Sequence, residues 1–170
     1  MPLTFLANSF VNSAGALKLV LKCLLQLSNE KFSNLSFSNR EALLTKEFAK
    51  NVKGKNNNII NIIDQRVFKL TPYFFSYTIS KTGLYTLTKT SAMSLAPNVR
   101  VNAIAPGPTI KNQRQSEKHF KKQYLATPLK RQVDVEQICN AVDFFIKNIS
   151  ITGQVWLLIV VKILTGKHQM

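Results

Sequence analysis

A chain of 170 residues and 19.2 kDa is long enough for one well-packed domain, and 45% hydrophobic against 18% charged residues excludes a disordered polymer. Two cysteines, Cys23 and Cys139, exclude a disulfide scaffold and a four-cysteine zinc site, and no metal centre is expected. The net charge of +15 rests on 18 lysines but only 5 arginines, beside 15 asparagines. Arginine is the residue whose planar fork reads phosphates and bases, whereas lysine and asparagine share A-rich codons. The excess therefore points to an A+T-rich gene rather than to a nucleic-acid partner.

Along the chain, short apolar runs alternate with amphipathic stretches, the pattern of a parallel α/β layer. Asn8, Asn12 and Ser13 break the first apolar segments, so no secretory signal is read there. Residues 3–11 read as a strand feeding the turn Asn12-Ser-Ala-Gly15, and Leu17, Val20, Leu21, Leu24 and Leu25 recur at helical spacing. Ser38 and Glu41 have capping-box spacing, which starts a helix carrying Leu43, Leu44 and Phe48 and stopping at Gly54. The isoleucine-rich run 58–64 has the character of a buried central strand. A loop with Pro72 leads to a helix over 77–95 that Pro97 ends, then to a strand over 99–105 closed by Pro106-Gly-Pro108.

Residues 111–122 are polar and basic and read as a mobile rim segment. Asp134 caps a helix through Lys147 that should bury Val135, Ile138, Val142 and Phe145. The turn 150–153 leads into a last apolar strand. The apolar run 155–164 carries Lys162 and is too short to span a membrane, so a cytoplasmic protein with no membrane partner is expected.

Tyr77 and Lys81 stand four apart, on one face of the predicted helix. An ammonium beside a phenol favours the phenolate, which would lower the Tyr77 pKa and make it a proton donor or acceptor near neutrality. Such a pair is ordinarily a surface feature. Here Asp64 ends the central strand thirteen residues earlier, and ligands of open parallel sheets sit outside those carboxyl ends.

These residues resemble the short-chain dehydrogenase/reductase family. Asn12-Ser-Ala-Gly15 is similar to its Asn-Asn-Ala-Gly turn, and Tyr77 with Lys81 to its catalytic pair. The stretch 96–107 is similar to its sixth strand and Pro-Gly turn, and Ile151-Thr-Gly-Gln154 to the start of its seventh. Most members have serine thirteen before the tyrosine. Asp64 in that place, with the turn 106–109, resembles the pteridine reductases. The resemblance implies a three-layer, Rossmann-like, doubly wound parallel sheet, NADP or NAD as cofactor with NADP favoured, and a small pteridine-like or carbonyl substrate. It also implies Asp64, Tyr77 and Lys81 as catalytic residues, and Asn12, Tyr77, Lys81, Pro106, Gly107 and Thr109 at the cofactor. Family members are often homo-oligomers.

The sequence also departs from the family. It has no Gly-x-x-x-Gly-x-Gly turn, so an incomplete sheet lacking the first strands is expected. Asn39 is the nearest candidate for the active-site asparagine, a residue or two from the expected spacing. Residues 1–154 then form a partial cofactor-binding domain and 155–170 a tail outside the family. Permitted codons for residues 155–162 read in another frame as Met-Ala-Ile-Asp-Ser-Gly-Gln, the family's ending, which implies a frameshift near Gln154. The alternative to an active oxidoreductase is an inactive remnant from a decaying gene; a basic nucleic-acid-binding module is a third.

Overall fold

The computed structural model describes residues 37–113 and 115–158, with side chains from residue 40. The expected strand at 3–11, the Asn12 turn, the helical spacing at 17–25 and residues 159–170 lie outside them.

Three parallel strands form one sheet in the order β1 (Asn57–Ile62), β2 (Val99–Pro106), β3 (Val155–Leu158). The register pairs Ile59 with Val101 and Ala103 with Val155. Alternate residues of β1 face opposite sides of the sheet. Ile59 packs with Phe48, Ala92, Val99 and Val101, which belong to α1 (Phe37–Asn51), α2 (Phe75–Leu95) and β2. Ile60 packs on the other side with Ile104 and with Ala141, Val142 and Phe145 of α4 (Val135–Lys147). Helices thus cover both faces, which is why β1 and β2 are buried along almost their whole length. Each fully buried isoleucine contributes roughly 1.5–3 kcal/mol through that burial. The expected three-layer parallel architecture is the one observed.

Polar groups fix how β3 reaches the sheet. Asn102, fully buried in β2, donates from Nδ2 to the Ile151 carbonyl at 2.9 Å and accepts from the Gln154 N–H at 3.0 Å. Thr152 Oγ1 accepts from the Val101 N–H at 3.1 Å, and the Gly153 N–H donates to the Val101 carbonyl at 2.8 Å. Gly153 has φ +70, and a β-carbon there would lie 3.4 Å from Ala92 Cβ. Glycine is the residue that takes this conformation without strain. Arg100 closes the C-terminal end of α4, donating to the carbonyls of Phe145 (2.8 Å), Asn148 (3.0 Å), Ile146 and Ile151 (both 3.3 Å). The sheet continues through residue 158, so its last strand is made by the first four residues of the segment read as a tail.

Two expectations fail. Residues 111–122 are not all rim: α3 (Glu117–Leu125) begins there, capped by Ser116, whose Oγ accepts from the His119 N–H at 3.2 Å. Phe120 anchors it in the core at 7% exposure, and a single buried residue leaves almost no periodic signal. Val135 is 52% exposed because it opens α4 before the helix reaches the sheet, whereas Val142 and Phe145 are buried as expected.

Candidate active site

The carboxyl ends of β1 and β2 carry the expected groups. β1 stops at Ile62, and the chain is still pinned to β2 one residue later, where the Ile63 N–H donates to the Ile104 carbonyl at 2.8 Å. Asp64 then turns the chain. It is extended, with φ −142, and its Oδ1 accepts the Arg66 N–H at 2.8 Å, capping a single turn of 3₁₀ helix, Gln65–Val67. This local bond fixes the carboxyl group and leaves Oδ2 directed at α2, where Tyr77 Oη donates to it at 2.9 Å.

Lys81 lies one turn further along the same face of α2. It is 4% exposed, and its Nζ donates to the Ile62 carbonyl at 2.8 Å, the last residue of β1. The ammonium is 5.9 Å from the centre of the Tyr77 ring. Asp64, Tyr77 and Lys81 therefore meet at one end of the sheet. The turn after β2 is at that same end: the Gly107 N–H donates to the Leu158 carbonyl at 3.2 Å, and Thr109 Oγ1 donates to the Gly107 carbonyl at 2.9 Å. Pro108 offers its carbonyl to the Val133 N–H at 2.9 Å. Among the expected cofactor residues, Pro106, Gly107 and Thr109 are thus held at the same carboxyl edge as the Tyr77/Lys81 pair. Asn12 lies outside the described residues, as does the side chain of Asn39 in the first turn of α1.

The electrostatics differ from expectation at Tyr77. Its pKa is raised, not lowered. Burial is the largest cause, the charge of Asp64 and its hydrogen bond add to it, and Arg66 opposes both. A phenolate here would be poorly solvated and would face a carboxylate, while the Lys81 ammonium is directed to a backbone carbonyl. Burial also lowers the Lys81 pKa, against the pull of Asp64 and Glu41. Tyr77 is accordingly protonated at neutral pH and donates its hydrogen bond to Asp64.

Three further residues belong to the surroundings. The Arg66 guanidinium lies 4.4 Å from the centre of the Phe74 ring and 5.7 Å from that of Tyr77, a cation over two aromatic faces. Phe74, at φ 61, turns the chain into α2 in a left-handed conformation that bulky residues seldom adopt. Glu41 is buried within α1 and acts on Lys81. Capping-box spacing pointed to Glu41 as a terminal residue, but the helix already includes Phe37. The available signal was its place four and seven residues before the buried Thr45 and Phe48, on the core stripe.

The sequence matches the family described as enoyl-(acyl carrier protein) reductase over residues 7–158. It is 41% identical over 68 residues to human dehydrogenase/reductase SDR family member 4, covering 39% of this chain and 24% of that protein. It is 27% identical over 96 residues to dihydromonapterin reductase of Enterobacter sp. (strain 638), covering 56% and 40%. Among solved structures, FolM alternative dihydrofolate reductase 1 from Brucella suis, in complex with NADP, superimposes with a TM-score of 0.69 at 42% identity, over 72% of this chain and 50% of that one. The Brucella canis protein of the same name, also complexed with NADP, gives 0.68 at 36% identity over 88% and 57%. The chain thus spans less than half of these curated relatives and about half of these structures.

Proposed function

The chain belongs to the short-chain dehydrogenase/reductase family, and on that premise we propose that it carries the catalytic part of an NADP(H)-dependent reductase acting on a pteridine-like ring. The observation that carries this reading is the hydrogen bond from Tyr77 to Asp64, with Lys81 beside it on α2. A carboxylate next to the proton donor suits a nitrogen-rich ring better than a simple carbonyl, because it accepts from ring N–H groups while the phenol donates. Relatives described as dihydromonapterin and dihydrofolate reductases support the same substrate class.

The residues fit the nicotinamide-ribose end of the cofactor: a hydroxyl and an ammonium share one helix face at the carboxyl edge of the sheet, with the Pro106–Thr109 turn at that edge. When bound, the cofactor supplies the hydride. Lys81, anchored by the Ile62 carbonyl, would bind the ribose hydroxyls. Tyr77, kept protonated by burial and by Asp64, would deliver the proton to the substrate. Asp64, fixed by the Arg66 N–H, would orient the ring by accepting from its N–H groups, and Tyr77 would regain a proton from solvent before donating to Asp64 again. The second reading is an inactive remnant of such a reductase.

NADPH fluorescence titration of the full chain separates the two, since a remnant gives no saturable binding. With binding established, NADPH oxidation in the presence of dihydrobiopterin should fall on the order of 10²–10⁴-fold in Tyr77→Phe, the usual contribution of one acid/base group. Unchanged oxidation in that variant overturns the assigned role.

A further inference from the structure

Glu41 is a buried carboxyl that the proposed chemistry does not use. It is 8% exposed, and its Oε2 is sealed from solvent without a hydrogen-bond partner. It stands on the face of α1 that carries Thr45 and Phe48, the face packed against α2. α2 carries the buried Lys81, and the opposite charges of the two side chains attract. A carboxyl left half-satisfied in a helix interface costs stability unless a charge compensates it, and Lys81 is that charge.

We propose that Glu41 is a positioning residue of this site: it is the buried counter-charge on α1 that keeps Lys81 an ammonium directed at the Ile62 carbonyl. Burial drives a lysine toward the neutral amine, which can no longer hold ribose hydroxyls as a cation. Asp64 opposes that drift from the β1 end, and Glu41 opposes it from α1. The other charged group acting on Glu41 among the described residues is Arg40, exposed on the same helix. Burial raises the Glu41 pKa to about 7, so the counter-charge is present on the alkaline side of neutrality, where Lys81 needs it, and fades on the acid side.

The inference rests on the reading of Lys81 as a site residue, but its test reads the Lys81 proton directly. An NMR titration of isotope-labelled lysine ε-carbons in the full chain, assigned with Lys81→Met, gives the Lys81 midpoint. That midpoint should fall by on the order of one pH unit in Glu41→Gln and by less in Glu41→Asp. In the unsubstituted chain the Lys81 signal should also show a second inflection where Glu41 titrates. An unmoved midpoint in Glu41→Gln overturns the proposal. Should that variant fail to fold, absence of the second inflection overturns it instead. A shifted midpoint in a chain that neither binds nor oxidises NADPH leaves Glu41 as proposed and sinks the functional reading alone.

Discussion

Ionisation of Glu41 should make the folded chain less stable as pH rises through the weakly acid range. Its pKa is about 7 in the fold against an ordinary 4.5, with burial the largest cause and the attraction of Lys81 already offsetting part of it. Between those two values the native chain holds a proton that the unfolded chain has lost. Stability therefore falls as pH climbs from about 4.5 to about 7, and the loss is complete above. A gap of roughly two and a half pH units at about 1.4 kcal/mol each sets the loss at about 3 kcal/mol.

Glu41→Gln keeps the volume and removes the proton equilibrium, so it should abolish this part of the pH dependence. Urea unfolding of both full chains at pH 5 and pH 8 makes the comparison. The remaining carboxylates contribute equally to both chains and cancel in the difference. With an m-value of about 2 kcal/mol/M, the unsubstituted chain should lose on the order of 1.5 M in midpoint more than the variant. Equal losses in the two chains would refute the assignment of a raised pKa to a buried, ionising Glu41.

Arg100→Met should cost about 2–4 kcal/mol, read as a lower urea midpoint, because four carbonyls at the end of α4 and the turn beyond it lose their common donor; a loss within experimental scatter would show that water replaces the guanidinium there. At the gene level, the proposed frameshift near Gln154 requires codons 155–162 to spell Met-Ala-Ile-Asp-Ser-Gly-Gln in the neighbouring frame. A gene sequence that cannot be read so removes the frameshift.

Where side-chain type alone decides burial, the fold was legible. The run Asn58–Ile63 can satisfy its isoleucines only between two helical layers, and the structure places Ile59 and Ile60 on opposite faces of the sheet. The Tyr77–Lys81 spacing placed both groups on one helix face, and Asp64 lies where a strand end should put it, 2.9 Å from the phenol. What failed depended on partners remote in sequence. The sign of the Tyr77 shift follows first from the burial of the phenol and then from its acceptor Asp64, and a four-residue spacing says nothing of either. Phe120 buries a short helix through one contact region, below what periodicity detects. Glu41 satisfied two patterns at once, a capping box and a core stripe, and only the packing of α1 on α2 separates them.

The convergence of Asp64, Tyr77 and Lys81 is a local property of residues 62–81. Asp64 is held by the Arg66 N–H two residues on, Lys81 by the carbonyl of Ile62, and Tyr77 by Asp64 itself. Each of these bonds closes between β1, the turn after it and the first two turns of α2. Their geometry therefore depends on β1 lying against β2 and on α2 packing back over the sheet, both of which the described residues supply. The protonation of Lys81 and the binding of a cofactor can therefore be read separately in this chain. That separation makes the Lys81 titration and the NADPH titration independent measurements: the first reads the locally built site, the second the site's completion.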